Sequence, residues 1–372
     1  MTEEFSIHEL SLRFPHDREM LIRFLAEHHL AYEEDIEAAF GVFDSEEKLV
    51  GCGCCAKKLL KCFAVDESLR GQNALGSLVS RLVENRFAAG FYDLFVITRP
   101  KNEALFTSCG FYTLAGTAEV LMLENRRDGL TRFYSGLADG KPVQKPGVFS
   151  QAPDSFLHEP SAGCKPAPDS EQAAKTPVGA IVMNCNPFTK GHLALITYAA
   201  ARCRLLYIFV VEEDRSQFPF HVRLALVKEG TSHLPNVFVC PSGPYMISSA
   251  TFPTYFLKEG EDAAKIQSEL DITLFASRIA PLFKITQRFA GEEPFDPVTR
   301  SYNDAMERIL PDYGISFTKI DRISSDGPGK ASTPISASRV RRLLAEGGVT
   351  DEVLSLVPPC TAAYLKESYQ ES

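Results

Sequence analysis

No stretch of this 372-residue chain is apolar over the length that a membrane span requires, so a membrane protein is not expected. The opening "MTEEFSIHEL" has neither a basic start nor an apolar core, which argues against a secretory signal and for a cytoplasmic protein. Positive charge is also in deficit: 39 Lys and Arg stand against 48 Asp and Glu, a formal charge of -9. A surface of that sign has no general affinity for nucleic-acid backbone, although one local basic pocket for a small anion is compatible with it. Internal repeats and coiled-coil heptads are absent as well. Cysteine is not scarce, but the 10 residues are scattered and no export signal accompanies them, so reduced thiols are expected rather than a disulfide framework. In "GCGCC", Cys52, Cys54 and Cys55 do not have zinc-knuckle spacing. Small residues packed in a strand are the reading there, with a metal site as the alternative.

What is present suffices for two ordinary cores, with 45% hydrophobic and 23% charged residues. Between them lies "GKPVQKPGVFSQAPDSFLHEPSAGCKPAPDSEQAAKTP", rich in Pro, Ser, Ala and Gly and without a sustained apolar period. It reads as a linker and sets the expected division: a front domain over 1–138, a linker over 139–177 and a back domain over 178–372. In front, "DREMLIRFLAEHH" and "YEEDIEAAF" are expected as helices, followed by a hairpin in "GVFDSEEKLVGCGCCA" and further strands in "LLKCFAVD" and "YDLFVITR". Behind, "VGAIVM", "RLLYIFVV", "NVFVCP", "ITQRFAG" and "ISFTKID" are expected strands with helical segments between most of them. Such alternation predicts a parallel sheet covered by helices on both faces, with ligands beyond the carboxyl ends of the strands.

The turn "NCNPFTKGH" occupies that kind of position, after the first back-domain strand. Pro187 biases Asn186 toward extended backbone, and Thr189 is a credible N-cap that leaves backbone N–H groups facing the turn. Gly191 admits an anion close to the backbone, and His192 adds a donor to the positive end of the helix dipole. Together these make a phosphate cradle in which Asn184, Asn186, Pro187, Phe188 and Lys190 also take part.

"PFTKGH" resembles the T/H-x-G-H signature of the adenylyl-transferring nucleotidyltransferase superfamily. "ISASRVR", Ile335 to Arg341, resembles that superfamily's second signature, and both stand in the expected order at expected helix starts. "YMISSATF" imitates the second signature without its arginine. Longer stretches, "GAIVMNCNPFTKGH", "VVEEDRSQFPFHVRLALVKEGT", "YMISSATFPTYFLKE", "RFAGEEPFDPVTRSYN" and "PISASRVRRLL", are similar to the citrate lyase ligases over nearly the whole chain except the linker.

That resemblance implies a Rossmann-like (HUP-type) nucleotidyltransferase domain behind a GNAT-like acyltransferase domain of the α+β class, an α/β protein overall. It also implies a reaction. Acetate attacks the α-phosphorus of ATP, and acetyl adenylate then acetylates the thiol of a dephospho-CoA-type prosthetic group on the acyl carrier (gamma) subunit of citrate lyase. Under it His192, Thr189 and Arg341 are the catalytic candidates. Gly191, Ile335, Ser336 and Ser338 are expected around the phosphates with Mg²⁺, whose protein ligands stay unassigned. Lys190 has a minor role. Gly291 and Glu293, in "GEEPF", either approach the nucleotide or form an ordinary strand-end turn. Arg223 either steers phosphates or acetate or is an exposed helical arginine.

In front, "VDESLRGQNALGSLV" resembles the pyrophosphate-binding turn of GCN5-related acetyltransferases, with Arg70 and Gly71 as candidate contacts to the prosthetic group. Asn73 and Leu75 stand where that pattern has small residues, so arm recognition is expected rather than acetyl-CoA turnover, with a purely structural domain as the alternative. Two rival functions remain. One is an adenylyltransferase acting on a phosphopantetheine- or mononucleotide-type substrate. The other is an acetyltransferase with a nucleotide-sensing back domain.

Overall fold

The computed structural model describes residues 5–69, 73–138, 176–212, 216–248, 251–292, 297–320 and 335–370. Nearly all of the expected linker lies outside these, as do Arg70, Gly71 and Glu293. The chain opens with β1 (Ser6–Leu10), α1 (Pro15–Glu27), β2 (Ala38–Phe43), β3 (Leu49–Ala56) and β4 (Leu59–Val65). It continues through α2 (Ala74–Ala88), β5 (Phe95–Thr98), α3 (Glu103–Ser108), β6 (Tyr112–Gly116), β7 (Leu121–Glu124) and α4 (Gly129–Ala138). Next come β8 (Val178–Met183), α5 (Lys190–Ala200), β9 (Leu205–Val210), α6 (Phe220–Gly230) and β10 (Val237–Pro241). After α7 (Ala263–Leu274), α8 (Ala280–Phe283), β11 (Gln287–Gly291), α9 (Pro297–Ile309) and β12 (Ser316–Ile320) follow α10 (Ala337–Gly347), α11 (Asp351–Leu356) and α12 (Pro359–Gln370). Among the described residues no helix is long and apolar enough to cross a membrane.

The front unit comprises Met1–Gly129 and Ile247–Arg278. Its seven-stranded sheet has the order β1-β2-β3-β4-β5-β7-β6, antiparallel except for the pair β4–β5. Side chains along β3 divide between two cores. Cys52 and Cys54 join Leu21, Phe24 and Leu25 of α1, whereas Cys55 joins Val79 and Leu82 of α2. The two helices therefore cover opposite faces of the sheet, as period-2 alternation requires. This is the α+β arrangement expected of the front domain.

One expected helix is not there. "YEEDIEAAF" leaves the helical conformation unused, and its last residues begin β2. Its carboxylates at alternate positions are drawn to tertiary cations. Glu33 and Asp35 both accept from Lys61, and Glu37 accepts from Arg86 at 2.7 Å. Tertiary pairing of alternate residues favours extended chain over the local helix propensity of Glu and Ala.

The back unit comprises Leu130–Met246 and Ile279–Ser372, so the packing does not follow the contiguous division at 138 and 178. Two pieces of chain are exchanged. Tyr134 of α4 is 1% exposed among Phe209, Tyr245 and Phe283, and its hydroxyl donates to the Ser242 carbonyl at 2.8 Å. Conversely, residues 247–278 belong to the front unit, where Arg278 Nε donates to the Leu114 carbonyl at 2.8 Å. Aromatic burial decides the first exchange, and hydrogen bonding to the edge strand β6 accompanies the second.

The five back-unit strands run parallel in the order β10-β9-β8-β11-β12. The chain goes from β8 to one side of the sheet and later returns to the other, which is the Rossmann-like order. Phe188, Ile196, Leu206, Ile208, Val227 and Phe289 belong to the core beneath its first turn.

Buried thiols give this fold an alkaline limit. Burial pushes Cys55 up to about 11 and Cys240 up to about 12, above the thiol value of 9.0. The folded chain thus keeps protons that the unfolded chain has already released, and stability falls as pH rises from the ordinary thiol value toward these raised ones. Urea unfolding should show a loss of about 1 kcal/mol per such thiol by about pH 10. A flat stability profile between about pH 8 and about pH 10 would refute the burial argument.

Candidate nucleotide-binding site

The ladder between β8 and β11 is short. It pairs Gly179 with Gln287 and Ala180 with Arg288, whereas the strands run on to Met183 and Gly291. Beyond the last pair lies the point where strand order reverses, the usual ligand crevice of an open parallel sheet. The turn 184–189 leaves β8 there, and Gly291 ends β11 beside it in the sheet.

The turn is held from below. Arg223, 0% exposed, donates to the carbonyls of Asn184 (2.6 Å), Val211 (2.9 Å) and Phe218 (3.0 Å) and to Asn184 Oδ1 (2.6 Å). Ser216 Oγ donates to the same Asn184 oxygen at 3.3 Å, and the Phe218 N–H donates to Asn186 Oδ1 at 3.0 Å. These contacts correct one expectation: Arg223 is not an exposed helical arginine but a buried brace. The side-chain oxygens of Asn184 and Asn186 join the turn to the segment before α6.

Phe188 holds the turn from the other side. Its ring is 0% exposed in the core, and its carbonyl accepts from Thr361 Oγ1 at 3.0 Å. The ring anchors the turn from the apolar side. Pro187 is buried and follows Asn186 through a cis bond, while Lys190 is exposed at the first position of α5.

Above this base, Thr189 and His192 form a reciprocal cap. The His192 N–H donates to Thr189 Oγ1 at 3.4 Å, and the Thr189 N–H donates back to His192 Nδ1 at 3.1 Å. A ring nitrogen that accepts from a backbone N–H carries no hydrogen, so in this tautomer the ring hydrogen is on Nε2. The sequence points to a capping threonine. The structure adds that histidine at N3 takes the part usually played by Glu or Gln, which fixes its ring.

The second motif meets this turn directly. Arg341 NH1 donates to the Asn186 carbonyl, and a β-carbon at Gly191 would lie 3.0 Å from the Ile335 carbonyl oxygen. Gly191 therefore serves first the close approach of the two motifs. Ser336 caps α10 by accepting from the Arg339 N–H at 3.1 Å, and its hydroxyl lies 3.0 Å from that of Ser338. Two helix N-termini, one imidazole and one guanidinium thus gather at a single turn, a combination suited to several phosphate oxygens at once.

At β11, among the described residues, no heavy atom lies within 4 Å of a β-carbon built on Gly291. Asn303 of α9 is 4% exposed and donates to the Gly291 carbonyl at 3.3 Å. Sequence reasoning missed both Asn303 and Thr361, and neither is marked by a composition or spacing signal. In the front unit, beyond Arg70 and Gly71, the described chain resumes at Asn73. Asn73 caps α2 with φ of 57°, and its Oδ1 lies 2.4 Å from where a β-carbon on Gly76 would be. Asparagine takes the left-handed conformation there that a glycine otherwise would, and Gly76 makes room for its amide.

The family described as Citrate lyase ligase C-terminal domain matches residues 178–365. The chain is 37% identical over 355 residues to the citrate (pro-3S)-lyase ligase of Klebsiella pneumoniae, covering 94% of this chain and 93% of that protein. It is 36% identical over 353 residues to the enzyme of the same name from Escherichia coli K12, covering 95% and 91%. An acetyltransferase of the GNAT family from Staphylococcus aureus Mu50 aligns in structure at 11% identity and a TM-score of 0.29, over 33% of this chain and 99% of that one.

Proposed function

The chain belongs to the citrate lyase ligase family, an acid–thiol ligase family, and on that premise we propose that it activates a citrate lyase by acetylating its carrier. In the proposed first step an acetate oxygen attacks the α-phosphorus of ATP, the bond to the bridging oxygen breaks, and pyrophosphate leaves. In the second, the thiol of a dephospho-CoA-type prosthetic group on the acyl carrier subunit attacks the acetyl carbonyl. The thioester forms, AMP leaves, and the thiol proton goes to solvent or to a base.

The observation that carries this reading is the shared turn: His192, tautomerically fixed by Thr189, and Arg341, donating to Asn186, flank one helix start. The Nε2–H of His192 is proposed to donate to the α-phosphate or bridging oxygen, more strongly as charge grows in the transition state. Thr189 positions the ring. Ser336, Ser338 and the N-terminus of α10 take the β- and γ-phosphates, and Arg341 offsets the charge of departing pyrophosphate. In-line displacement at phosphorus needs such placement more than a protein nucleophile, and none is invoked. Gly291 and Glu293 are proposed at the ribose side, and Lys190 at the rim.

Mg²⁺ is proposed to arrive with ATP. Among the described residues no group of three or more His, Cys, Asp or Glu is placed to hold a metal ion, and no step is routed through it. The front unit, through Arg70 and Gly71, is proposed to recognise the carrier's arm. Reduced thiols and an ATP substrate suit the cytoplasm.

The test is exchange of labelled pyrophosphate into ATP. Exchange that requires acetate and is stimulated by no phosphopantetheine or mononucleotide supports the ligase reading. Exchange driven by those compounds without acetate would replace it with adenylyl transfer. Turnover of acetyl-CoA with no exchange at all would replace it with an acetyltransferase carrying a nucleotide sensor.

A further inference from the structure

Strands β4 and β5 form the one parallel pair of the front sheet, and they part early. Leu59 pairs with Phe95 and Leu60 with Val96, yet β4 runs on to Val65 and β5 to Thr98. Parallel strands that separate toward their carboxyl ends open a crevice in which ligands bind. Transfer of a group between two molecules in such an opening needs room for both, and the sheet has two faces from which they can enter.

On the α1 face the opening is covered by this chain's own residues 252–261. Tyr255 is 4% exposed within the cluster of Leu21, Phe24, Leu25, Cys52, Cys54 and Cys62, and its carbonyl accepts from the Ala31 N–H at 2.9 Å. Burial raises its hydroxyl well above the ordinary phenol value, against the backbone of Cys62 in the bulged part of β4. Thr254 donates to Glu33 Oε1 through its N–H at 2.8 Å and its hydroxyl at 3.1 Å. The other Glu33 oxygen accepts from Lys61 of β4, 1% exposed, at 2.8 Å.

The same segment is held to the second strand. Arg99, which follows β5, donates to the Phe256 carbonyl at 3.3 Å and to Glu261, and its guanidinium lies 5.3 Å from the centre of the Phe256 ring. One piece of chain is thus fastened to both strands beside their point of separation. Along α2, on the other face, runs a cavity of about 580 Å³ lined by Asn73, Ser77, Ser80, Arg81, Ser108 and Cys109 among others.

We infer that residues 252–261 are a strap that closes one face of the β4–β5 opening, so that the front unit is a one-sided binding site for a thiol-tipped arm and not a transferase between an acyl-CoA and an amine. Lys61 and Arg99 hold the strap, and Tyr255 fills the place an acceptor would need. The identity of the arm rests on the proposed ligase reaction; the closure does not.

The experiment uses the full chain. With acetyl-CoA and primary amines, spermidine and a lysine-containing peptide, free CoA measured by chromatography should stay at the no-amine level. Hydrogen exchange should be slow in both 61–65 and 252–261. Arg99→Ser and Tyr255→Ala should each accelerate the two segments together by roughly tenfold while leaving α5 unchanged. Amine-dependent release of CoA by the unaltered protein would overturn the inference. So would rapid exchange of 252–261 while 61–65 stays protected. Acetate-dependent pyrophosphate exchange, measured on the same samples, reports separately on the ligase reading: its absence sinks that reading and leaves the closure to be judged on its own results.

Discussion

Replacing His192 with alanine is expected to lower the rate of acetate-dependent pyrophosphate exchange by on the order of 10²–10³, the usual effect of removing one donor aimed at developing charge. The expectation follows from how the ring is held. Its Nδ1 accepts from the Thr189 N–H at 3.1 Å, so the opposite nitrogen is the donor and its direction is set by α5 instead of by a free rotamer. A donor strengthened only as the phosphorus becomes five-coordinate acts on the transition state, so kcat should fall much more than KM for ATP rises. The same substitution removes half of a capping box, which costs the helix about 1 kcal/mol. Thermal unfolding should therefore shift by only a few degrees, which separates a chemical role from a folding one. An alanine variant that exchanges pyrophosphate within a few-fold of the parent rate would remove His192 from the chemistry, and with it the phosphate cradle.

The two helix starts of the proposed site were legible because a cap followed by a basic residue restricts residue type and spacing together. "PFTKGH" and "ISASRVR" each combine a cap with a nearby basic residue, and both begin helices in the structure, α5 and α10. The five parallel strands were legible for a similar reason: short apolar runs such as "VGAIVM" and "LLYIFV" alternate with helical segments and are long enough to name. What escaped reading depends on partners distant in sequence. Glu33, Asp35 and Glu37 look helical locally and become extended because Lys61 and Arg86 lie across from them. The exchanged pieces carry no boundary signal, since Tyr134 and Tyr255 are ordinary aromatics until the fold supplies a core for each. Gly191 shows an intermediate case: its place in the motif was readable, but the Ile335 carbonyl that requires it was not.

Arg223 is the sharpest of these cases and carries the second large expected effect. Arg223→Met keeps the aliphatic stem and removes the guanidinium, leaving the carbonyls of Asn184, Val211 and Phe218 and the Oδ1 of Asn184 without that donor. The guanidinium is 0% exposed, and the loss of four charge-assisted bonds from one buried donor should cost about 3–5 kcal/mol. The melting temperature should drop by roughly 10 °C. Arg223→Lys should rescue little, because a point ammonium cannot reach acceptors spread over a planar fork. Nucleotide affinity should weaken in parallel, since Asn184 opens the turn that carries Thr189 and His192. The two losses belong to one cause, and this distinguishes a brace from a ligand contact. A residue that touched phosphate would lose affinity at unchanged stability; Arg223 should lose stability first. A methionine variant that melts like the parent but binds ATP poorly would return Arg223 to the phosphates and overturn the account of the turn given by its hydrogen bonds.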